Sequence, residues 1–176
     1  MKKKKKKIIN LKKKQFTWLI TGVAGFIGSN LADLLLSLNQ IVVGIDNFSS
    51  GSKKNLTEVK KNILTKQWKN FYFLKGDISK INFCQRIPKK IDFVLHHAAT
   101  VSVPNSLKDP ILTNKNNISG FLNILQISKL RKVKSFVYAS SSVVYGNNFA
   151  KPITEKAMAS PLSPYALTNF TNEQYA

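Results

Sequence analysis

The chain has 176 residues and is 43% hydrophobic, which is enough for one domain with a buried core. Its 28 basic residues outnumber its 8 acidic ones and give a formal net charge of +20 at pH 7. A single cysteine, Cys84, excludes an intramolecular disulfide and fits a reducing compartment, so the cytoplasm is the expected location.

The segment at the start of the chain, MKKKKKKIINLKKK, holds a dense cluster of lysines. Like charges repel and nothing here can build a core, so residues 1–14 are predicted to form a disordered lysine-rich tail ahead of a folded region over 15–176. The apolar segment that follows, FTWLITGVAGFIG, is too short and too rich in glycine to cross a bilayer comfortably. No membrane span is therefore expected.

The basic charge leaves open a role at nucleic acid or at an anionic membrane surface. Lysine supplies nearly all of this charge, because Arg86 and Arg131 are the only arginines. Base readout and phosphate clamps favour the forked guanidinium of arginine. No specific nucleic-acid partner is therefore expected, and a basic surface-binding protein is kept as an alternative.

Beyond the tail, short apolar runs alternate with segments of helical periodicity. Strands are predicted over 16–21, 41–45, 91–99 and 134–141, and a further strand with its exit loop over 71–77. Helices are predicted over 26–38, 56–68, 78–87 and 110–130, with a last one that begins near Ser163. This alternation predicts an α/β fold with a doubly wound parallel sheet that is covered by helices on both faces.

A glycine-rich turn, TGVAGFIG, joins the first predicted strand to the first helix and sets Gly22, Gly25 and Gly28 at this junction. Glycines there allow a tight turn and a close approach of backbone amides to a pyrophosphate, and the helix N-terminus adds partial positive charge. Asp46 ends the second strand, where a carboxylate for a ribose 2′-hydroxyl is expected. The pattern predicts a Rossmann-like domain with strand order 3-2-1-4-5, and Asp46 favours NAD over NADP.

Six segments carry a family resemblance: TGVAGFIGSNL, DNFSSG, GDI, HHAA, SSSVVYG and SPYALTNF. Their order and spacing resemble the extended short-chain dehydrogenase/reductase family of nucleotide-sugar epimerases and dehydratases, from about Phe16 to Ala176. Five segments look more narrowly like the UDP-N-acetylglucosamine 4-epimerase group of surface (Vi-type) polysaccharide synthesis: VAGFIGSNL, SVPNS, DPILTN, NISGFLNIL and LSPYALTNFTNEQYA.

The resemblance implies a role for each matching position. The cofactor-binding residues would be Gly22, Gly25, Phe26, Ile27, Gly28, Asp46, Asn47, Asp77, Ile78, Ala98, Ala99 and Ser140. Ser141 and Tyr165 would be catalytic, and Ser102, Val103 and Ser142 would face the substrate. Asn117 would brace the long helix against the sheet, by the same resemblance.

No metal site is expected. His96 and His97 are adjacent, but no third ligand recurs at a suitable spacing, so a packed or hydrogen-bonded structural role is expected for both.

Two departures from the family pattern concern activity. In the family, a lysine four residues after the tyrosine hydrogen-bonds the nicotinamide ribose and favours the ionised tyrosine, whereas this chain has Asn169 there. The chain also stops soon after the tyrosine, while family members continue with a further strand and a small sugar-binding domain. Residues 15–176 are therefore expected to form an incomplete NAD-binding Rossmann domain with the C-terminal substrate domain missing.

The function implied by the resemblance is NAD-dependent 4-epimerisation of a UDP-sugar of the N-acetylglucosamine or glucose type, impaired by Asn169 and by the missing part. Three alternatives stay open: a non-catalytic NAD-binding remnant, a nucleotide-sugar dehydratase, and the basic surface-binding protein. The sequence leaves open whether the chain is an enzyme and whether it forms a homodimer.

Overall fold

The structure is a computed structural model that describes residues 11, 13–147 and 152–176. Most of the predicted tail, residues 1–10 and 12, lies outside the described residues. The end of that segment is tied to the fold, because the side-chain amide of Gln40 donates hydrogen bonds to the carbonyl oxygens of Leu11 at 2.7 Å and Lys14 at 3.1 Å. Gln40 is itself buried.

The described residues form a five-stranded sheet in which every paired neighbour is parallel. The strands are β1 Thr17–Thr21, β2 Ile41–Asp46, β3 Phe71–Lys75, β4 Phe93–His96 and β5 Ser135–Tyr138. Their order is β3-β2-β1-β4-β5, which confirms the predicted order. The fourth and fifth strands each end three residues earlier than predicted, and the residues beyond them form loops.

Helices connect the strands and cover both faces of the sheet. They are α1 Phe26–Ser37, α2 Lys53–Asn62, α3 Thr65–Trp68, α4 Ile81–Cys84, α5 Val103–Lys108, α6 Pro110–Asn114, α7 Gly120–Leu130 and α8 Pro164–Tyr175. A π-helical turn, Lys115–Ser119, joins α6 to α7, and a 3₁₀ turn, Ser142–Tyr145, follows β5. The predicted helix over 56–68 is two helices, because the backbone at Ile63 is extended.

Side-chain caps fix where four of these helices begin. In each case a serine or aspartate oxygen accepts a hydrogen bond from a backbone N–H of the first turn, which would otherwise lack a partner. The caps are Ser52 for α2, Ser102 for α5, Asp109 for α6 and Ser163 for α8. Proline within the first turn of α5, α6 and α8 adds to this signal.

The core is divided by the sheet into two clusters. Leu19 and Ile20 are adjacent on β1 and point to opposite faces, as the pleat requires. One cluster lies beside α4 and α7 and contains Leu19, Val43, Ile45, Ile78, Cys84, Ile87, Ile91, Val94, Ile124 and Ile127. The other lies beside α1 and α2 and contains Ile20, Val23, Ala32, Leu35, Leu36, Val42, Val59 and Ile63. Burial on both faces holds the carboxyl ends of the strands rigidly at one edge.

Candidate functional site

A cavity of about 380 Å³ opens at the carboxyl ends of the strands. It lies where the strand order reverses between β1 and β4, which is the usual ligand position in open α/β sheets. Its lining includes every predicted cofactor residue except Ser140: Gly22, Gly25, Phe26, Ile27, Gly28, Asp46, Asn47, Asp77, Ile78, Ala98 and Ala99. Residues not predicted for it also line it: Ile45, Ser49, Ser50, Gly51, Gly76, His97, Thr100, Val101 and Asn116.

The glycine turn brings the backbone unusually close to its neighbours. Gly22 has a φ of +69°, and a Cβ there would lie 2.9 Å from the backbone nitrogen of Ala98. A Cβ at Gly28 would lie only 2.2 Å from the carbonyl oxygen of Gly22. No side chain caps the N-terminus of α1 within the described part of the chain, so its first-turn N–H groups face the cavity without such a partner. An anion is the natural partner for such groups.

Asp46 connects the end of β2 to this turn. Its side chain is buried, with Oδ2 accepting a hydrogen bond from the N–H of Ala24 at 2.9 Å and Oδ1 accepting one from the N–H of Phe48 at 2.8 Å. A carboxylate offers about four lone-pair positions, so these two bonds leave acceptor capacity toward the cavity. Asp46 therefore shapes the loop and can also accept from a ligand hydroxyl.

Thr21, at the end of β1, fixes the loop after β4. Its hydroxyl oxygen accepts hydrogen bonds from the N–H groups of His97 and Ala98, both at 3.2 Å, and lies 2.9 Å from Nδ1 of His96. Burial, with a smaller contribution from His97, lowers the pKa of His96 to about 3, so its ring is neutral at pH 7. A hydrogen bond therefore joins the Thr21 hydroxyl to Nδ1 of the neutral His96 ring.

The two histidines differ in their surroundings. His96 is buried and hydrogen-bonded, as predicted. His97 instead lines the cavity, and its Nδ1 is buried without a hydrogen-bond partner among the described residues. Burial also lowers the pKa of His97. Its position in the cavity wall was missed because a sequence motif does not show which of two adjacent side chains faces a ligand.

Replacing Thr21 with valine should weaken both the fold and the cavity wall. The change keeps the side-chain shape but leaves the N–H of Ala98 and Nδ1 of His96 without their partner, which costs about 1–3 kcal/mol. The N–H of His97 keeps the backbone carbonyl of Thr21 as its acceptor, at 3.2 Å. Denaturant unfolding measures the loss of stability, and cofactor titration measures the effect on the cavity. Thr57→Val is the matched control, because the Thr57 hydroxyl donates to a carbonyl within its own helix. An equal loss of stability in both variants would contradict the role assigned to Thr21.

The predicted catalytic and substrate residues do not line this cavity. Ser141 is partly buried and caps the 3₁₀ turn by accepting from the N–H of Val143, while the Ser140 hydroxyl donates to the Glu173 carboxylate. Ser102 caps α5, followed by Val103 as its first residue, and Ser142 is exposed. Tyr165 is partly buried in the first turn of α8. Their predicted roles remain predictions.

Asn169 is turned back onto its own helix. Its side chain is only 8% exposed, and Nδ2 donates to the carbonyl oxygen of Tyr165 at 2.8 Å. The amide that replaces the family lysine therefore satisfies a helix carbonyl one turn earlier.

Asn117 links α8 to the loop after β4. From the π-helical turn, its Oδ1 accepts from the N–H of Thr100 at 2.7 Å, and its Nδ2 donates to the Thr100 carbonyl at 3.1 Å and the Thr168 hydroxyl at 3.2 Å. Asn172 donates to the Asn117 carbonyl at 3.0 Å. These bonds hold the tyrosine-bearing helix against the sheet through side chains that are all buried or partly buried.

The described residues show neither a metal cluster nor a membrane-spanning helix. No group of three or more histidine, cysteine, aspartate or glutamate side chains there is placed to hold a metal ion. Within the same part of the chain, no helix is both long and apolar enough to span a membrane.

Comparison with known proteins places residues 19–176 on the family model of GDP-mannose 4,6 dehydratase. A putative UDP-glucose 4-epimerase of Methanocaldococcus jannaschii is 34% identical over 89% of this chain and 48% of its own length. The UDP-N-acetylglucosamine 4-epimerase of Methanobrevibacter ruminantium, solved with UDP-N-acetylmuramic acid, gives a TM-score of 0.83 at 35% identity, covering 92% of this chain and 49% of that one. The UDP-glucose 4-epimerase of Bifidobacterium longum, solved with NAD⁺ and UDP, gives a TM-score of 0.81 at 30% identity. That match covers 90% of this chain and 47% of the other. The chain thus spans about half the length of these relatives.

Proposed function

Because the chain belongs to the NAD-dependent epimerase/dehydratase family of short-chain dehydrogenases/reductases, we propose that it binds NAD in the cavity at the carboxyl ends of its strands. The observation that carries this proposal is the uncapped N-terminus of α1 beside a glycine turn with no room for a Cβ at Gly28. Such a turn lets a pyrophosphate approach backbone N–H groups directly. A related epimerase was solved with NAD⁺ and UDP, which supports the same cofactor here.

The residues that line the cavity fit the separate parts of a dinucleotide. The turn at Gly22 and Gly28 would hold the pyrophosphate, and Asp46 would accept from a ribose hydroxyl while repelling a 2′-phosphate. Asp77 and Ile78 would border the adenine, and Ala98 and Ala99 would pack along the cofactor, with His97 beside them in the cavity wall. Ser140 stays a proposed contact outside the cavity lining.

For the whole family-type protein we infer 4-epimerisation of a UDP-sugar, of the N-acetylhexosamine kind by the sequence segments quoted above. Relatives named as UDP-glucose and UDP-N-acetylglucosamine 4-epimerases support this class. Bound NAD would supply hydride acceptor and donor chemistry. Tyr165 would exchange a proton with a sugar hydroxyl, Ser141 would hold that hydroxyl by a hydrogen bond, and Ser102, Val103 and Ser142 would face the sugar.

A second candidate function is cofactor binding without turnover. The observation that favours it is Asn169, whose amide carries no charge and is engaged by the backbone of its own helix. The cavity residues would still bind NAD in that case. Binding and turnover therefore have to be measured separately.

Replacing Asp46 with alanine should lower NAD affinity by about ten- to a hundredfold, since a hydrogen bond to a charged group contributes roughly 1.5–3 kcal/mol. Calorimetry with NAD and NADP measures the effect on affinity and on the preference between them. Asp46→Asn keeps one side-chain oxygen that can accept a hydrogen bond from the backbone, so it should mainly weaken the preference for NAD over NADP.

Asp33→Ala is the matched control for Asp46, because Asp33 lies on α1 and does not line the cavity. It should leave the binding of both cofactors unchanged. Equal affinity of the unmodified chain for NAD and NADP would contradict the proposal.

A further inference from the structure

A second groove lies at the β3 edge of the sheet and has a volume of about 330 Å³. We call it the β3 groove. It is lined by four aromatic residues, three lysines, a leucine and a threonine: Phe48, Trp68, Phe71, Phe73, Lys53, Lys60, Lys75, Leu56 and Thr57. It shares no lining residue with the proposed NAD cavity. The family assignment therefore leaves this groove without a function.

The aromatic rings form a continuous strip along the β3 groove. Phe71 and Phe73 lie two residues apart on β3 and so share one face of the sheet, with ring centroids 6.3 Å apart. Trp68 extends the strip at one end, 4.7 Å from Phe71, and Phe48 extends it at the other, 5.4 Å from Phe73. All four residues are partly exposed, although Trp68, Phe71 and Phe73 also pack against the core cluster beside α1 and α2. The exposed part of the strip offers apolar surface to a ligand.

The three lysines give this strip a positive rim. The Nζ atom of Lys53 lies 5.9 Å from the ring centre of Phe48, and that of Lys60 lies 5.9 Å from the ring centre of Trp68. Among the described residues, none of the three lysines is in a salt bridge, and the groove has no acidic lining residue. The rim charge is therefore available to an anionic partner.

The spacing of the lysines accommodates an extended anion. Lys53 and Lys60 lie about 10 Å apart along the axis of α2, at 1.5 Å per residue. Successive phosphates of a nucleotide chain can contact lysines at both ends of that span.

We propose that the β3 groove binds single-stranded nucleic acid without sequence preference. Bases stack on the aromatic strip while the three lysines hold the phosphates, which is the combination by which sequence-tolerant single-strand sites work. A duplex is disfavoured because its base faces are covered by stacking. The scarcity of arginine agrees with binding that reads no base edges, and the net charge of +20 favours encounter with a polyanion.

Trp68 makes stacking directly measurable. The full chain is titrated with an oligothymidylate of about twelve nucleotides, a length within the site sizes of single-strand sites, while tryptophan fluorescence and the anisotropy of a labelled strand are followed. We expect the tryptophan fluorescence to be quenched on binding. In Trp68→Phe this quenching should be lost, while binding, followed by anisotropy, should be retained because the variant keeps a ring in the strip. The other tryptophan, Trp18, hydrogen-bonds Gln40 and packs on Phe93 away from the groove, so it serves as an internal reference. Unchanged quenching in Trp68→Phe would overturn the proposal.

The lysine rim is tested by a charge-matched pair of triple variants. Replacing Lys53, Lys60 and Lys75 with glutamine should weaken binding at least tenfold. It should also reduce the slope of log affinity against log salt by about two, at roughly 0.7 per phosphate contact. The control replaces three exposed lysines outside the groove with glutamine: Lys89, Lys108 and Lys129. An equal loss of affinity in both triple variants would mean that only the overall charge matters, and would overturn the proposal.

Competition identifies the chemistry of the ligand. Polyphosphate of equal charge has no rings, so it should displace the strand only weakly. A glutamate–tyrosine copolymer should leave the Trp68 signal unchanged. Displacement of the strand by polyphosphate at equal concentration would overturn the proposal and show that charge alone drives binding. Quenching of the Trp68 fluorescence by the copolymer would overturn it in favour of an acidic peptide. None of these readouts depends on NAD.

Discussion

Replacing Gly28 with alanine should destabilise the chain by about 3 kcal/mol and abolish measurable NAD binding, since overpacking at a rigid site reaches that size. The new Cβ would lie 2.2 Å from the carbonyl oxygen of Gly22 and 2.8 Å from the Cα of Val23. These are backbone atoms and cannot rotate away. The turn is also anchored, because the N–H groups of Gly22 and Val23 both donate to the carbonyl of Ile45, at 2.8 and 3.2 Å.

Gly25→Ala is the matched control within the same turn. A Cβ at Gly25 meets one close atom, the Gly22 carbonyl oxygen at 3.2 Å, which a shift of a few tenths of an ångström relieves. Its loss of stability should be well below that of Gly28→Ala in chemical denaturation. Equal stability of the two variants would show that α1 can move away from the turn, contrary to the tight packing described above.

The parts of the fold that follow from local pattern were predicted from the sequence. Buried parallel strands are continuous apolar runs and the helices between them carry one apolar face, so alternation alone predicted the doubly wound sheet. Gly22, Gly28 and Asp46 were grouped correctly in one cavity because the carboxyl ends of neighbouring parallel strands must meet.

The parts that depend on distant contacts were not predicted. The Thr21 hydroxyl meets His96 across 75 positions of sequence, so no local pattern could show its role in fixing the cavity wall. The predicted helix over 110–130 contains the π-helical turn that carries Asn117, and its bonds to Thr100 and Thr168 form only in the folded chain. Helix α5 was missed because it is only a turn and a half long, with its signal reduced to the Ser102 cap and the proline that follows.

The β3 groove was also invisible to sequence analysis, for a related reason. Phe71 and Phe73 were predicted to lie on a strand, but that strand is the sheet edge and their shared face is only partly covered by α2. The lysines of α2 then border rings that a buried strand would have hidden. The β3 groove is therefore created by the position of β3 at the edge of the sheet, which the propensity of its residues for strand does not show.

The 176-residue chain is expected to convert UDP-N-acetylglucosamine to its galacto epimer at a rate close to background. One reason lies at Asn169. A free tyrosine is ionised in about one molecule in a thousand at pH 7. A cation about 5 Å away contributes roughly 3 kcal/mol at an effective dielectric of ~20, or about two orders of magnitude. The Asn169 amide donates to the Tyr165 carbonyl and supplies no such charge.

The second reason is positioning, and it is the larger one. Holding reactants in a productive geometry is worth roughly 7–11 kcal/mol in favourable cases. The chain matches about half the length of its relatives, and by the family resemblance the sugar is gripped mainly by the other half. Asn169→Lys in the chain as it stands should therefore restore the charge without restoring turnover, whereas the same substitution in a chain extended with a family-like C-terminal half should raise the rate about a hundredfold.

Chromatography of the nucleotide-sugar products after long incubation measures this turnover, with Tyr165→Phe as the background for each chain. An ultraviolet absorbance titration of tyrosinate reports the charge effect independently of activity. The chain has five tyrosines, so the titration of the matching Tyr165→Phe variant is subtracted before the unmodified chain is compared with the Asn169→Lys variant. Substantial conversion by the unmodified chain that Tyr165→Phe abolishes would show that an asparagine suffices at this position. It would also show that these residues position the sugar by themselves, in which case the exposed Ser142 and the α5 cap at Ser102 become the first places to look for its contacts.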